Sequence, residues 1–485
     1  GVFVIASIDN TVKLEFNYNP SDIRNIGLEF DIEYNSFNNL LSSDFFNTKF
    51  IFNLETELPS NLNSIKEQLN KNINESQKIS VNINSELNGK EWTGTSSKGI
   101  KIPIGATITN EPIFLDFSNN SGVHHAMIGG ATGSGKTVLQ HDIIINGALL
   151  YSPEELQFVL MDYKEGTEFK IYESLPHVKV LSIDSKREFG LSVFDYLVNE
   201  ISVRGNLFKE FNTGNLEGYC NASGKKMARI LVIIDEFQVL LSESDAITTK
   251  IATLMEDVAR RGRSFGINLI LATQTLGDVA INTSTLNQLG LRLAMKMPEN
   301  DCMRLLSVDN DLPKNFNRAG QALYNAKKGQ KDGNVEFQVA FMTDKEVTSN
   351  IDTINNLKLS NPNINTEFKR YIFDGSSNAK IENNSILVEN LKNDTFIVND
   401  NFCSLYIGEP AFIQEEHIKI KIRKQQESNV LLSGDASNAT IGIIYNSYQQ
   451  LIKQSSAESK FYIFDTFDVD SGFSGHFEGL KQLTE

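Results

Sequence analysis

Cysteine is nearly absent from this chain, and the three present, Cys220, Cys302 and Cys403, have no paired spacing. That pattern argues against a disulfide-stapled fold and a thiolate zinc site, and it favours a reducing compartment. Histidine is scarce too, and His124-His125 is the one adjacent pair. Neighbours on a strand point to opposite faces, so this pair reads as strand-edge chemistry rather than metal binding. No uninterrupted apolar run approaches the roughly 20 residues that span a bilayer, and nothing has the pattern of a secretory leader. Positive charge is short as well: 45 Lys and Arg face 61 Asp and Glu, for a formal charge of −16. No long basic stretch exists to grip nucleic acid over a broad outer face, so any such contact must be local, as in loops inside a ring. The chain begins with Gly1 rather than Met. This suggests a piece of a longer protein, cytoplasmic, with any membrane anchor in segments outside it.

What the chain does have is glycine in one telling place. Gly130-Ala131-Thr132-Gly133-Ser134-Gly135-Lys136-Thr137 matches the phosphate-loop pattern G-x-x-x-x-G-K-[ST] at every fixed position. A short apolar run, Ala126 to Ile128, precedes it and a helix-like run, Val138 to Leu150, follows it. Glycines let the backbone turn its N–H groups onto phosphate oxygens, and the following helix adds its positive end. Lys136 can reach the β- and γ-phosphates of ATP, and the Thr137 hydroxyl can ligate Mg²⁺.

Around this loop, residues 98–345 alternate strand and helix, the mark of a mostly parallel α/β sheet covered on both faces. Strands are expected at Ala126–Ile128, Gln157–Met161, Lys179–Ser182, Ile230–Ile234, Asn268–Ala272 and Leu291–Met295, several of them apolar throughout. Ile230 to Ile234 run into Asp235-Glu236, two acids at the carboxyl end of a strand, where open α/β sheets bind ligands. Asp235 would support Mg²⁺ and Glu236 would activate the attacking water. Asn268 to Ala272 lead to Gln274, placed to sense the γ-phosphate or position water. Arg260, Arg261 and Arg263 crowd the stretch before that strand, and Arg204 sits on an earlier helical stretch. Arg204, Arg260 and Arg263 are candidates for an arginine finger reaching a neighbour's phosphates. A solvated helix end accounts equally well for any one of them.

These pieces, with Met161-Asp162-Tyr163-Lys164 and Asn199-Glu200, resemble the motor domain of the FtsK/SpoIIIE/HerA family of ring ATPases over about half the chain. The resemblance implies a RecA-like P-loop ATPase of the additional-strand type, acting as a homo-oligomer, a hexameric ring. Such a ring would use ATP to translocate a polymer, double-stranded DNA first of all. A type VII-like protein secretion ATPase, with an exported protein as cargo, is the alternative. Its membrane complex would form through segments outside this chain. A slow nucleotide-dependent scaffold is a third reading. Family members that move DNA follow the sensor Gln with Arg-Pro, whereas this chain has Gln274-Thr275-Leu276, and no DNA-reading winged helix is visible.

The flanking regions carry less chemistry. Residues 1–97 read as an α+β region, with period-two strands around Leu14 and around Phe30 and an amphipathic helix through Leu58, Leu62, Ile65, Leu69 and Ile73. Residues 346–400, rich in Asn and Ser, read as a linker with short strands. Beyond it the motor pattern recurs: Ile407-Gly408 repeats Ile104-Gly105, and Phe461 to Asp465 repeats Phe158 to Asp162, at one shared offset of 303 residues. Residues 401–485 are therefore expected to be a second RecA-like domain, partial because the chain stops 20 residues after Asp465. It would also be degenerate, because Ser433 to Thr440 stand at the loop position without a lysine.

Overall fold

A computed structural model describes residues 81 and 83–464, apart from 165–167, 184–185, 278–280, 367, 376–378, 400, 409–411, 414–417, 424, 426–427, 434–437 and 457, together with the backbone of five strands ahead of them. The chain divides into two compact units, Gly1–Lys78 and Ile79–Glu485. In the first, β1 (Ala6–Ser7), β2 (Thr11–Glu15), β3 (Glu29–Asn35), β4 (Leu40–Phe45) and β5 (Thr48–Asn53) form an antiparallel meander in sequence order. The expected helix from Leu58 to Ile73 lies outside the described residues.

The second unit holds an eleven-stranded sheet. Its strands in chain order are β6 (Lys101–Ala106), β7 (Pro112–Asp116), β8 (Ala126–Gly129), β9 (Leu156–Asp162), β10 (Val178–Ile183), β11 (Arg229–Asp235), β12 (Ile267–Thr273), β13 (Leu291–Met295), β14 (Gln321–Asn325), β15 (Asn334–Val339) and β16 (Tyr371–Asp374). Across the sheet the order is β16-β10-β9-β11-β12-β8-β13-β14-β15-β6-β7. The first seven run parallel and the last four continue antiparallel. All six strands expected from the apolar runs are present, and β12 stands between the loop strand β8 and the acid strand β11, as an additional-strand P-loop fold requires.

Helices cover both faces, which is why the central strands read as apolar at every position rather than alternately. They are α1 (Lys136–Leu150), α2 (Arg187–Glu210), α3 (Leu216–Ser223), α4 (Ala246–Phe265), α5 (Thr283–Gln288), α6 (Glu299–Leu305), α7 (Asp344–Ser360) and α8 (Ser385–Asn393), besides a single turn at Asn84–Leu87. Leu231 and Ile233 pack with α1 and α7 on one face, while Ile230, Val232 and Ile234 pack with α2, α4 and α6 on the other. α4 shows how the local sequence sets its limits. Asp245 caps its start by accepting the Thr248 N–H at 2.8 Å, and Gly266 ends it in the left-handed region at φ 71°. Between these ends Ile251, Met255, Val258, Ala259 and Gly262 form the buried stripe.

Two expected boundaries move. The compact unit starts near residue 79 rather than 98, because Trp92 donates to the Ala148 carbonyl at 2.9 Å and Ser96 N–H donates to Glu155 at 2.8 Å. Residues 346–400 are not a free linker. α7 buries Val347, Ile351 and Ile354 in the core, and β16 adds a parallel edge strand beside β10. Composition concealed this, because an edge strand and a half-buried helix tolerate many polar residues.

Residues 402–453 form a hairpin and a helix of their own. β17 (Phe402–Gly408) and β18 (Ile418–Arg423) form a hairpin, like β6 and β7, and α9 (Asn438–Lys453) packs on β17 as α1 packs on β6. The bulge in β6 falls between Pro103 and Gly105, and that in β17 between Tyr406 and Gly408, again 303 residues on. The Tyr151 hydroxyl, just past α1, meets both backbone groups of Lys101, accepting from N at 2.9 Å and donating to O at 3.4 Å. Gln454, just past α9, does the same to Ser404, both at 2.9 Å. Residues 428–433 and 458–464, which correspond to β8 and β9, carry no strand, and Leu431 is 91% exposed. Residues 434–437 of the altered loop, and Asp465, lie outside the described residues.

Candidate active site

β8 ends at Gly129, the loop turns over residues 130–135, and α1 begins at Lys136. Gly133 and Gly135 take φ values of 77° and 105°, which a side chain would strain. The Ala131 N–H donates to the Lys296 carbonyl at 2.8 Å, and the Gly320 N–H donates to the Ser134 carbonyl at 2.8 Å. The loop is thus braced from the β13–β14 side by residues that no sequence motif marks.

On its other side the loop meets the hydrolytic candidates. The Lys136 ammonium contacts Asp235 Oδ1 and lies 2.7 Å from Glu236 Oε1, with all three side chains buried. Gln140, one turn after Lys136, donates to Asp235 Oδ1 at 3.1 Å. Glu236 Oε2 accepts from Gln238 Nε2 at 2.7 Å and from the Gln274 N–H at 3.1 Å. The Thr132 hydroxyl donates to Gln274 Oε1 at 2.6 Å. One network therefore joins Thr132, Lys136, Asp235, Glu236 and Gln274. Burial works to raise the Glu236 carboxyl, but the Lys136 charge and these donors together hold it below the ordinary carboxylate range. Glu236 also has φ 52°, costing roughly 1–2 kcal/mol, the kind of backbone strain that gathers at functional positions.

Asp162 pairs with Asp235 in the β9–β11 register and closes a turn by accepting the N–H groups of Lys164 at 2.8 Å and Glu168 at 3.0 Å. Burial raises it to about 6 against those donors. Lys164 pairs loosely with Glu168.

The arginines separate. Arg204 is buried, bonded to Glu200 at 2.9 Å and to the Phe265 carbonyl at 2.8 Å, so it ties α2 to the end of α4 rather than projecting outward. Arg260 is exposed and pairs with Asp257 at 3.0 Å, as a solvated helix end would. Arg263 is exposed and lines a polar cavity of about 370 Å³ with Asn119, Glu217 and Arg229. All three lie toward the start of β12, whereas the loop lies at the strands' carboxyl ends; seven strand residues separate the two edges, roughly 20 Å. None can serve the loop of its own chain.

Asp235 Oδ2 is buried without a hydrogen-bond partner among the described residues. With the Thr137 hydroxyl in the first turn of α1 it offers hard oxygen ligands that fit Mg²⁺. Among the described residues no cluster of three or more His, Cys, Asp or Glu side chains could hold a metal.

Comparison with known proteins matches residues 83–278 to the FtsK/SpoIIIE family. Residues 83–278 are thus similar to the FtsK/SpoIIIE domain. Over 198 residues it is 29% identical to the ESX secretion system protein YukB of Bacillus subtilis, covering 39% of this chain and 13% of that one. Over 211 residues it is 32% identical to the ESX secretion system protein EccC of Thermomonospora curvata, covering 40% and 15%. Over 199 residues it is 29% identical to the DNA translocase FtsK of Clostridium tetani, covering 40% and 26%. The matches thus span well under a third of each relative's length. Among solved structures, EssC (ATPases 2 and 3) from Geobacillus thermodenitrificans shares the fold with a TM-score of 0.50 at 17% identity, covering 74% of this chain and 66% of that one. Among the described residues no helix is long and apolar enough to cross a membrane.

Proposed function

We propose that this chain is an ATP-hydrolysing motor unit whose turnover drives a polymer, and that the polymer is an exported protein. The contact of Lys136 with Asp235 and Glu236, bridged by Gln274 to Thr132, carries the hydrolytic part of the reading. Gly130, Ala131, Thr132, Gly133, Ser134, Gly135 and Lys136 hold the phosphates of ATP. Thr137 and Asp235 hold Mg²⁺, which offsets charge on the β- and γ-phosphates when bound. Nucleotide entry draws Lys136 from the acids onto phosphate, and Glu236 is then free to take a proton from the attacking water. Gln274, hydrogen-bonded to Glu236 through its backbone and to Thr132 through its side chain, reports the state of the γ-phosphate. Arg263, exposed at the far edge of the sheet, completes a neighbour's site in a ring. The motor works on the cytoplasmic side of a membrane complex.

The cargo assignment rests on the second copy. The coincident bulges, helix ends and paired backbone contacts at one offset favour tandem RecA-like units, the second with Ala439 where the first has Lys136. Relatives named as ESX secretion proteins favour the same reading. Double-stranded DNA is the second reading, favoured by the relative named as a DNA translocase. ATPase assays across a salt series separate them: stimulation by duplex DNA that falls steeply with salt supports DNA, and no stimulation supports protein.

A further inference from the structure

The loop has two unlike flanks. Toward β12 stand Gln274, Glu236 and Asp235, which attend the γ-phosphate end of a nucleotide. Toward β13 and β14 stand two cations that the hydrolytic site does not use. Lys296 follows β13 directly, and its carbonyl holds the Ala131 N–H at 2.8 Å. Arg318 lies two residues before Gly320, whose N–H holds the Ser134 carbonyl at 2.8 Å. Two residues of chain span at most roughly 7 Å, so an arginine side chain there reaches the loop.

Both cations are exposed, and neither has an ion-pair partner among the described residues. Nearby cations are engaged: Lys314 pairs with Glu299 at 3.2 Å, Arg304 donates to the Leu276 carbonyl at 3.2 Å, and Lys136 is held by the acids. The backbone around Arg318 is fixed. Gln338 Nε2 donates to the Ala319 carbonyl at 3.0 Å, and Gly320 has φ 76°. Gly135 and Gly320 are so close that a Cβ on Gly135 would stand 3.0 Å from Gly320 N. A free guanidinium on a braced segment beside a phosphate loop is suited to charge-assisted contact with phosphate.

We propose that Arg318, assisted by Lys296, binds the α-phosphate and ribose end of the nucleoside di- or triphosphate in its own chain. This rests on the ATP-binding reading above. With the γ-phosphate beside Gln274, the remainder of the nucleotide runs along the loop toward Gly320, under these cations. Because the contact is to the part that ADP and ATP share, it sets affinity for both and leaves the chemical step to Glu236.

The test uses the full chain with fluorescent ADP and ATP analogues, comparing wild type, Arg318→Ala, Arg318→Lys and Lys296→Ala. The expected result is a roughly tenfold rise in Kd for Arg318→Ala that is equal for ADP and ATP, a matching rise in KM, kcat within about twofold at saturation, and partial recovery in Arg318→Lys. Lys296→Ala shows a smaller rise. Unfolding midpoints without nucleotide should match wild type, which a merely structural role would not allow. Unchanged Kd in Arg318→Ala, a loss for ATP alone, or a loss in kcat alone would overturn the proposal. Lys136→Ala is the control for the underlying reading: if it binds ATP like wild type, nucleotide binding at this loop fails and Arg318 fails with it.

Discussion

Lys136 Nζ lies 2.7 Å from Glu236 Oε1 and also contacts Asp235, so the cation proposed to bind phosphate and the acids proposed for hydrolysis neutralise one another when no phosphate separates them. Removing the cation leaves two buried carboxylates together, and breaking such a pair costs about 3–5 kcal/mol. Lys136→Ala should therefore lose nucleotide binding and also lower the unfolding midpoint of the nucleotide-free protein. Adding Glu236→Gln should restore part of that midpoint without restoring binding. An unchanged midpoint in Lys136→Ala, read by calorimetry, would show that the pair is not formed in solution.

The proposed second copy has alanine at 439, where the first has its loop lysine, and it should not take up nucleotide. Titration calorimetry with an ATP analogue is expected to give one site per chain. Two sites of similar affinity would contradict the assignment.

Gln454 bonds both the N–H and the carbonyl of Ser404, in place of a neighbouring strand. Gln454→Leu leaves both groups without partners, at a cost of roughly 2 kcal/mol. Hydrogen exchange should rise across β17 and α9 and stay unchanged in the large sheet. Equal protection in the variant would refute the role.

Two buried histidines make the fold acid-sensitive. Burial lowers His125 to about 3, and its Nδ1 accepts the Leu269 N–H at 2.9 Å, a bond that protonation would break. Burial lowers His177 to about 4, despite its bond to the Tyr151 carbonyl at 2.7 Å. The folded pKa values lie below the unfolded 6.5. This stability is therefore complete above pH 6.5 and falls away as pH drops toward 4, by about 2 kcal/mol per histidine at pH 5. Urea unfolding at pH 7.5 and pH 5 should show the difference. His177→Gln should narrow it.

Of the three candidates Arg263 is the exposed arginine with no ion-pair partner among the described residues, whereas Arg204 is buried in a structural contact. Arg263→Ala should reduce turnover by about 10³-fold in the assembled oligomer while preserving nucleotide affinity. Mixing it with Lys136→Ala chains should restore measurable activity, since each supplies what the other lacks. No recovery in mixed oligomers would argue against action between subunits.

The loop, the acid strand and the sensor strand were legible because each is short, local and chemically constrained: glycines before Lys136, an apolar run ending in Asp235, another ending near Gln274. The braces were not, since Gly320 and Lys296 meet the loop only through long-range strand order. Gln140 lay one turn from Lys136 and Gln238 two residues from Glu236, so helix and turn spacing could have found both. Arg204 misled because burial is invisible in a run of residues, and a guanidinium that binds a carbonyl looks the same in sequence as one that reaches a neighbour. The linker reading allowed short strands but missed that α7 packs into the core and that β16 joins β10, because a half-buried helix and an edge strand need few apolar residues.

Glu236→Gln tests the central claim most directly. In single-turnover experiments with saturating ATP and Mg²⁺, the variant should bind ATP at least as tightly as wild type and release phosphate at least about 10²-fold more slowly. Phosphate release at the wild-type rate would contradict the assignment of Glu236 as base, and with it the account of this site as the engine of a motor.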